Sequence, residues 1–181
     1  MKRKKTKIIL TGYRATGKSS VGKMIAERLS YAFLDMDKEI EEQQGLTIAR
    51  MVSERGWDFF RGLERDYLET LLDRENLVVA PGGGAILHQN VWRRLMDSSL
   101  VFWLQAEVRT IAERLTGDAI SADQRPSLTG DDMIVEIEKV LQEREELYRT
   151  GSHLVVNAEK DPEQVAGEII AFWQRSNQEG K

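Results

Sequence analysis

Gly12-Tyr13-Arg14-Ala15-Thr16-Gly17-Lys18-Ser19 fits the phosphate-binding loop pattern G-x-x-x-x-G-K-[ST] at every fixed position. The apolar residues 7–11 precede this loop and predict a buried strand. Apolar residues at helical spacing follow it over residues 18–30. A strand, a glycine-bounded turn and a helix N-terminus direct backbone N–H groups and a helix dipole at one point. The segment therefore predicts a binding site for a nucleoside triphosphate.

The loop supplies most of the predicted nucleotide contacts. Lys18 is expected to reach the β- and γ-phosphates, and the Ser19 hydroxyl is expected to ligate Mg²⁺. An ordinary glycine-containing turn is the alternative, and the flanking strand and helix argue against it. The residues predicted to bind the nucleotide here are Gly12, Arg14, Ala15, Thr16, Gly17, Lys18, Ser19 and Ser20.

Composition limits the class of protein. A chain of 181 residues is long enough for one domain with a substantial core, and we expect a single domain over residues 1–181. A net charge of −4 argues against a nucleic-acid partner. The chain has no cysteine, and its two histidines lack metal-ligand spacing. No apolar stretch approaches the length of a membrane span. We expect a soluble, cytoplasmic monomer with no membrane partner.

Short apolar runs alternate with helical patterns along the whole chain, which predicts an α/β fold with a parallel sheet flanked by helices. A polar stretch over residues 117–130 is too long for an ordinary connection and predicts a mobile lid. Strands are predicted at 7–11, 32–34, 77–80, 100–104 and 153–156, and helices at 18–30, 47–54, 58–73, 89–97, 107–116, 131–149 and 162–175.

Asp35-Met36-Asp37 ends the second predicted strand. Alternation along a strand would direct both carboxylates to the same side, near the phosphate-binding loop. One aspartate can then hold Mg²⁺ through water, and the other can accept a proton from an attacking hydroxyl. The alternative is a capping pair in front of a helix over residues 38–44.

Two predicted helices carry an arginine on or beside their apolar face. Arg144 is in phase with Ile137 and Leu141, and an inward guanidinium must meet an anion or reach solvent. Arg61 and Glu64 border the stripe of helix 58–73, which is formed by Phe60, Leu63, Tyr67 and Leu71. If these two helices face each other, Arg61, Arg144 and Glu64 together carry a charge of about +1. That charge suits a substrate with one carboxylate. Surface pairing with neighbouring glutamates is the alternative for each arginine.

Two loops add candidate residues. Gly82-Gly83-Gly84 follows a strand and allows close approach of backbone N–H groups to a ligand, although a plain flexible turn is the alternative. Arg125 lies in the predicted lid, where it is either a solvated charge or a group that moves onto the transferred phosphoryl. The four tryptophans are predicted to serve packing, because no basic stripe accompanies them.

These motifs, in this order and spacing, resemble the shikimate kinase family over nearly the whole chain. Further matches are Arg125-Pro126-Ser127-Leu128-Thr129-Gly130 and Arg144-Glu145-Glu146-Leu147-Tyr148-Arg149. The resemblance implies a P-loop kinase fold with five parallel strands ordered 2-3-1-4-5. It also implies transfer of the γ-phosphoryl of ATP to the 3-hydroxyl of shikimate, a step of aromatic amino-acid biosynthesis.

The resemblance also implies roles for single residues. Asp37 would bind the substrate hydroxyls and act as the base, and Arg61 and Arg144 would bind the carboxylate. Ser19 and, through water, Asp35 would hold Mg²⁺. For the substrate, the resemblance also implies Glu64, Gly82, Gly84 and the N–H group of Gly83. For the nucleotide, it implies Arg125 over the phosphates. Arg114 and Pro162 of the 157–162 loop would lie around the adenine.

Three positions depart from the family pattern. Ala15 stands where glycine is frequent, so it must adopt a negative φ or bear strain. Pro81 replaces the usual threonine before the triple glycine, and Gly151 follows Thr150 in place of a small aliphatic residue. A gluconate-type or nucleoside monophosphate-type kinase and a non-catalytic nucleotide switch are the alternative functions.

Overall fold

The computed structural model describes residues 5–117 and 132–178. Within them, five strands form one parallel sheet in the order β2-β3-β1-β4-β5. This order is the one that the family resemblance implied. The predicted strands are confirmed to within one residue at either end. Their bounds are Lys7–Thr11 (β1), Ala32–Asp35 (β2), Leu77–Ala80 (β3), Ser99–Gln105 (β4) and Leu154–Asn157 (β5).

Helices connect the strands. The helices predicted over 47–54 and 58–73 form one helix that is kinked at Gly56, whose φ of 82° and ψ of 169° are accessible almost only to glycine. In the described part of the chain, no helix is both long enough and apolar enough to span a bilayer. The helices are Lys18–Leu29 (α1), Met36–Gln44 (α2), Ile48–Thr70 (α3), Gln89–Ser98 (α4), Val108–Gly117 (α5), Met133–Thr150 (α6) and Pro162–Gln178 (α7), with a 3₁₀ turn at Ala85–Leu87.

The sheet is buried on both faces because successive strand residues point to opposite sides. Ile9, Val79 and Val101 pack against α2, α3 and α4 in one cluster. Ile8 and Leu10 pack against α1 and α7 in a second cluster on the other face. This two-sided burial explains why the central strands are continuous apolar runs rather than alternating ones.

The parallel order brings the carboxyl ends of β1, β2 and β3 to one edge of the sheet. In open parallel sheets this edge is where ligands bind. A third cluster, which includes Tyr13, Ile111 and Ile137, packs α5 and α6 beside the phosphate-binding loop. Of the predicted lid over 117–130, only Gly117, the last residue of α5, is described, and Arg125 lies outside the described residues.

Candidate active site

The phosphate-binding loop owes its shape to two glycines. Gly12 has φ 138° and Gly17 has φ 90°, both in the left-handed region that other residues avoid. A methyl group at Gly12 would lie 2.6 Å from the carbonyl oxygen of Leu104 in β4. Helix α1 begins directly after Gly17, and its first turn carries no acidic residue. The positive end of α1 therefore faces the loop and favours an anion there.

Ala15 adopts a left-handed φ of 61°. Of the two predicted outcomes, a negative φ or a strained backbone, the structure shows the strained backbone. This conformation costs a non-glycine residue about 1 kcal/mol. The Ala15 carbonyl accepts a hydrogen bond from Nη1 of Arg114 at 3.3 Å. Arg114 also donates through Nη2 to the carbonyl of Ala158 at 2.9 Å. The guanidinium thus ties the loop to the segment that follows β5.

Side chains of the loop region hold its backbone in place. The Lys18 ammonium donates to the carbonyls of Gly12 at 2.9 Å and Tyr13 at 2.6 Å. The Thr16 hydroxyl also donates to the Tyr13 carbonyl, at 2.8 Å. Lys18 therefore lies across the mouth of the loop, at the place where a polyphosphate would bind.

Asp35 and Asp37 both line the cavity beside the loop, but the reason predicted for this is wrong. Helix α2 begins at Met36, not at residue 38, so Asp37 lies in a first helical turn rather than in a strand. The Asp37 side chain is buried, and its charge is favourable near the N-terminus of α2. Asp35 precedes the helix without making a capping hydrogen bond, which argues against the capping alternative.

Ser19 and Asp35 form an oxygen pair at the edge of this cavity. The Ser19 hydroxyl donates to Oδ2 of Asp35 at 2.7 Å. A hydroxyl and a carboxylate are the oxygen ligands that a hard divalent cation prefers. The donor set of the two residues therefore fits Mg²⁺ bound together with a triphosphate.

The cavity beside the loop, here called the nucleotide cavity, has a volume of about 790 Å³. Its lining comes from the loop, from α1 and α2, and from the segments around Arg114 and Lys160. Gly12 belongs to the loop but not to the lining. The predicted nucleotide-binding residues that line the cavity are Arg14, Ala15, Thr16, Gly17, Lys18, Ser19, Ser20, Arg114 and Pro162.

A second, smaller cavity of about 50 Å³, here called the acid cavity, adjoins the first. Both are lined by Arg14, Asp37 and Ile48. Three arginines and two carboxylates line the acid cavity, which leaves one positive charge in excess. The predicted substrate-binding residues in its lining are Asp37, Arg61, Glu64, Gly82, Gly83, Gly84 and Arg144.

Glu64 is fully buried rather than at the border of the α3 stripe, where the sequence placed it. Its Oε2 atom accepts a hydrogen bond from Nη1 of Arg61 at 2.5 Å. The same atom lies 3.1 Å from Nε2 of His88, within hydrogen-bond distance. Its Oε1 atom is buried and has no hydrogen-bond partner within residues 5–117 and 132–178. A buried acceptor of this kind favours a ligand that brings a donor such as a hydroxyl.

The triple-glycine turn leaves room for charged side chains. A methyl group at Gly84 would overlap the guanidinium of Arg61. A methyl group at Gly82 would lie 2.7 Å from Oδ1 of Asp37 and 3.0 Å from Oε1 of Glu64. Side chains at Gly82 and Gly84 are therefore excluded by two carboxylates and an arginine, whereas a methyl group at Gly83 would lie 3.2 Å from the carbonyl oxygen of Gly12.

Arg144 is buried on the inner face of α6, as its helical phase predicted. Its Nη1 atom donates to the carbonyl of Gly83 at 3.2 Å, and the Tyr148 hydroxyl donates to the same oxygen at 2.6 Å. Burial raises the pKa of Tyr148 to about 12, so it remains a donor at neutral pH. Ile134 of the same helix is 50% exposed, so the buried face of α6 does not include this residue of its first turn.

Sequence reasoning missed several residues in and beside the acid cavity, among them Trp57 and His88. Trp57 was assigned to packing alone, yet it lines the acid cavity, and the Arg61 guanidinium lies 5.2 Å from its ring centroid. His88 was considered only as a metal ligand. It lies between the 3₁₀ turn and α4 and contacts Glu64 of α3 from there. Trp57 precedes Arg61 by four residues, a spacing that places both on one face of a helix and could have indicated their contact. No local sequence pattern indicates the contact of His88 with Glu64.

Comparisons with known proteins agree with this geometry. The family model described as shikimate kinase matches residues 14–174. The chain is 39% identical over 158 residues to shikimate kinase 2 of Photorhabdus laumondii, which covers 87% of this chain and 90% of the relative. It is 38% identical over 164 residues to the shikimate kinase of Oleidesulfovibrio alaskensis, covering 91% and 95%.

Among solved structures, the chain resembles the shikimate kinase of Acinetobacter baumannii, which was solved in complex with shikimate. The TM-score is 0.87 at 30% sequence identity, and the match covers 95% of this chain and 94% of that one. The likeness therefore extends over the sheet, the phosphate-binding loop and the helices that line both cavities.

Proposed function

The chain belongs to the shikimate kinase family, and we propose that it transfers the γ-phosphoryl group of ATP to the 3-hydroxyl of shikimate. The products are shikimate 3-phosphate and ADP. The observation that carries the proposal is the meeting of the nucleotide cavity and the acid cavity at Asp37. A terminal phosphate in one cavity and a small hydroxy acid in the other would be brought together at that residue.

ATP is proposed to bind with its phosphates on the loop and α1. Lys18 would contact the β- and γ-phosphates, and Arg114 and Pro162 would lie around the adenine. Ser19 would ligate Mg²⁺ directly and Asp35 through water, and the metal would neutralise charge that develops on the phosphates. Arg125 is proposed to cover the phosphates on the basis of the family resemblance alone.

Shikimate is proposed to bind in the acid cavity through opposite charge and hydroxyl contacts. Arg61 and Arg144 would hold its carboxylate. Oε1 of Glu64 and the carboxylate of Asp37 would accept hydrogen bonds from its hydroxyls, and the N–H group of Gly83 would donate to it.

The proposed reaction forms a bond between the 3-hydroxyl oxygen of shikimate and the γ-phosphorus, while the bond from that phosphorus to the bridging oxygen of ADP breaks. The hydroxyl proton passes to Asp37. Lys18 stabilises the negative charge of the transferred group and of the departing ADP.

An assay of ADP release with several acceptors tests this function. Turnover on shikimate in the presence of Mg²⁺, and none on gluconate or a nucleoside monophosphate, is the expected result. Turnover on one of the other acceptors alone would favour a different P-loop kinase. Nucleotide binding with no transfer to any acceptor would favour a nucleotide switch.

The variant Asp37→Asn tests the role of the carboxylate. We expect kcat to fall about 100-fold, because the proton acceptor is lost, and the KM for ATP to change by less than about twofold. Asp58→Asn removes an exposed carboxylate of α3 and should match the wild type. An equal loss of ATP affinity in Asp37→Asn would instead assign Asp37 to the metal site.

A further inference from the structure

Arg14 lies at the junction of the nucleotide and acid cavities and lines both. Its side chain is 17% exposed, and its Nε atom is buried with no hydrogen-bond partner in the described part of the chain. A guanidinium carries five N–H donors in a fixed plane. Arg14 therefore presents both charge and donors at the place where the two proposed substrates meet.

Glu136 of α6 determines where this guanidinium lies. Its carboxylate is almost fully buried, with 1% of the residue exposed. Oε1 accepts a hydrogen bond from Nη2 of Arg14 at 2.7 Å and lies 3.4 Å from the Tyr13 hydroxyl. Because a buried charge is tolerated only with a close partner, the pair Arg14–Glu136 is a strong constraint on both side chains.

The same face of α6 contacts the triple-glycine turn. Glu136, Val140, Arg144 and Tyr148 follow one another at intervals of four residues, and all are buried. Glu136 contacts Arg14 in the phosphate-binding loop, whereas Arg144 and Tyr148 donate to Gly83. Glu136 and Arg144 are about 12 Å apart along the axis, given the rise of an α-helix. On this face of α6, Glu136 therefore lies beside the phosphate-binding loop, and Arg144 lies beside the acid cavity.

We propose that Glu136 is a positioning residue for phosphoryl transfer, which holds the Arg14 guanidinium at the junction of the two cavities. The inference rests on the proposed function. In this position Arg14 brings positive charge to the path of the transferred phosphoryl group. Asp37 lines the same junction, and without Glu136 the guanidinium can pair with Asp37, which would occupy the proposed proton acceptor.

A double-mutant cycle with Glu136→Ala and Arg14→Ala tests the proposal through kcat and through calorimetric binding of shikimate without nucleotide. With Arg14 present, Glu136→Ala should lower kcat by about 10- to 100-fold, because misplacement of a charged group near the reacting atoms has effects of this size. With Arg14 replaced, the same change should alter kcat by less than about twofold. The Kd for shikimate should stay within about threefold, because Arg61 and Arg144 remain.

Two further variants keep the test decisive. Glu138→Gln changes an exposed acid of the same helix and should have wild-type kcat. Glu136→Gln retains an acceptor oxygen, so it replaces Glu136→Ala in the cycle if that variant does not fold. An equal fall in kcat in both Arg14 backgrounds, or kcat of Glu136→Ala within about twofold of wild type, would overturn the proposal. Failure of the wild type to use shikimate would instead overturn the proposed function.

Discussion

At the scale of single residues, Gly84 shows how a missing side chain shapes the acid cavity. Its φ of −90° and ψ of −9° are open to any residue, so its backbone does not require glycine. The requirement is steric, because the Arg61 guanidinium occupies the space where a side chain at Gly84 would lie. The position of Arg61 therefore depends on a residue more than twenty positions away in the sequence.

Replacement of Gly84 by alanine is expected to displace Arg61 from the acid cavity. The KM for shikimate should rise about 10- to 100-fold, because one of the two proposed carboxylate partners moves, while the KM for ATP should change by less than about twofold. Steady-state kinetics with each substrate varied in turn measures both. An unchanged KM for shikimate would show that Arg61 does not contact the acid.

Gly62→Ala is a matched control, because Gly62 follows Arg61 directly and no atom of residues 5–117 and 132–178 lies within 4 Å of a methyl group there. The change should leave the KM for shikimate near the wild-type value. It should also raise the free energy of unfolding by about 1 kcal/mol, since alanine favours helix over glycine.

At the scale of elements, His153 contributes to the pairing of edge strand β5 with β4. Its backbone N–H donates to the carbonyl of Val101 at 2.7 Å, and its Nδ1 atom accepts from the N–H of Val101 at 3.1 Å. Burial lowers the pKa of His153 below its ordinary value of 6.5, and Lys5 nearby lowers it further. Above pH 6.5 the folded state therefore keeps this ring neutral, so that Nδ1 can accept the hydrogen bond.

This lowered pKa predicts a dependence of stability on pH. Below pH 6.5 the unfolded chain binds a proton at His153 more readily than the folded chain does. The free energy of unfolding should therefore fall as pH decreases from 6.5 towards the lower folded-state pKa, and this loss is absent above pH 6.5. Urea unfolding of the wild type and of His153→Gln on either side of pH 6.5 measures it. The variant should show a smaller decrease, and equal decreases would contradict the assignment.

The elements also show what could be predicted from the sequence and why. Strand bounds and the inward phase of Arg144 follow from local periodicity, and both are confirmed. The alternation argument for Asp35 and Asp37 was wrong because α2 starts directly after β2, with no intervening loop. The full burial of Glu64 could not be predicted, because Gly82 and His88 come from other segments of the chain.

At the scale of the whole molecule, the sheet order explains how distant segments form adjacent cavities. Asp37 follows β2, Gly82 follows β3, and the phosphate-binding loop follows β1, so all three lie at the carboxyl edge of neighbouring strands. Arg144 reaches this edge from α6. The nucleotide and acid cavities therefore adjoin at this edge, where Arg14, Asp37 and Ile48 line both.

This arrangement predicts that ADP and shikimate each stabilise the protein, and that the two effects can be separated by mutation. A ligand at 100 times its Kd raises the free energy of unfolding by about 2.7 kcal/mol. For a chain of this size, that corresponds to a rise in Tm of roughly 5–10 °C. Thermal unfolding with each ligand, alone and together, measures the effect.

Arg144→Ala separates the two contributions, with each rise in Tm measured from the variant's own unliganded value. Shikimate should raise its Tm much less than it raises that of the wild type, because a carboxylate partner in the acid cavity is lost, whereas ADP should still raise it fully. Lys18→Ala should reduce the rise caused by ADP and retain the rise caused by shikimate. If Arg144→Ala lost both effects equally, the two cavities would be one cooperative unit, and the division of binding residues between them would be wrong.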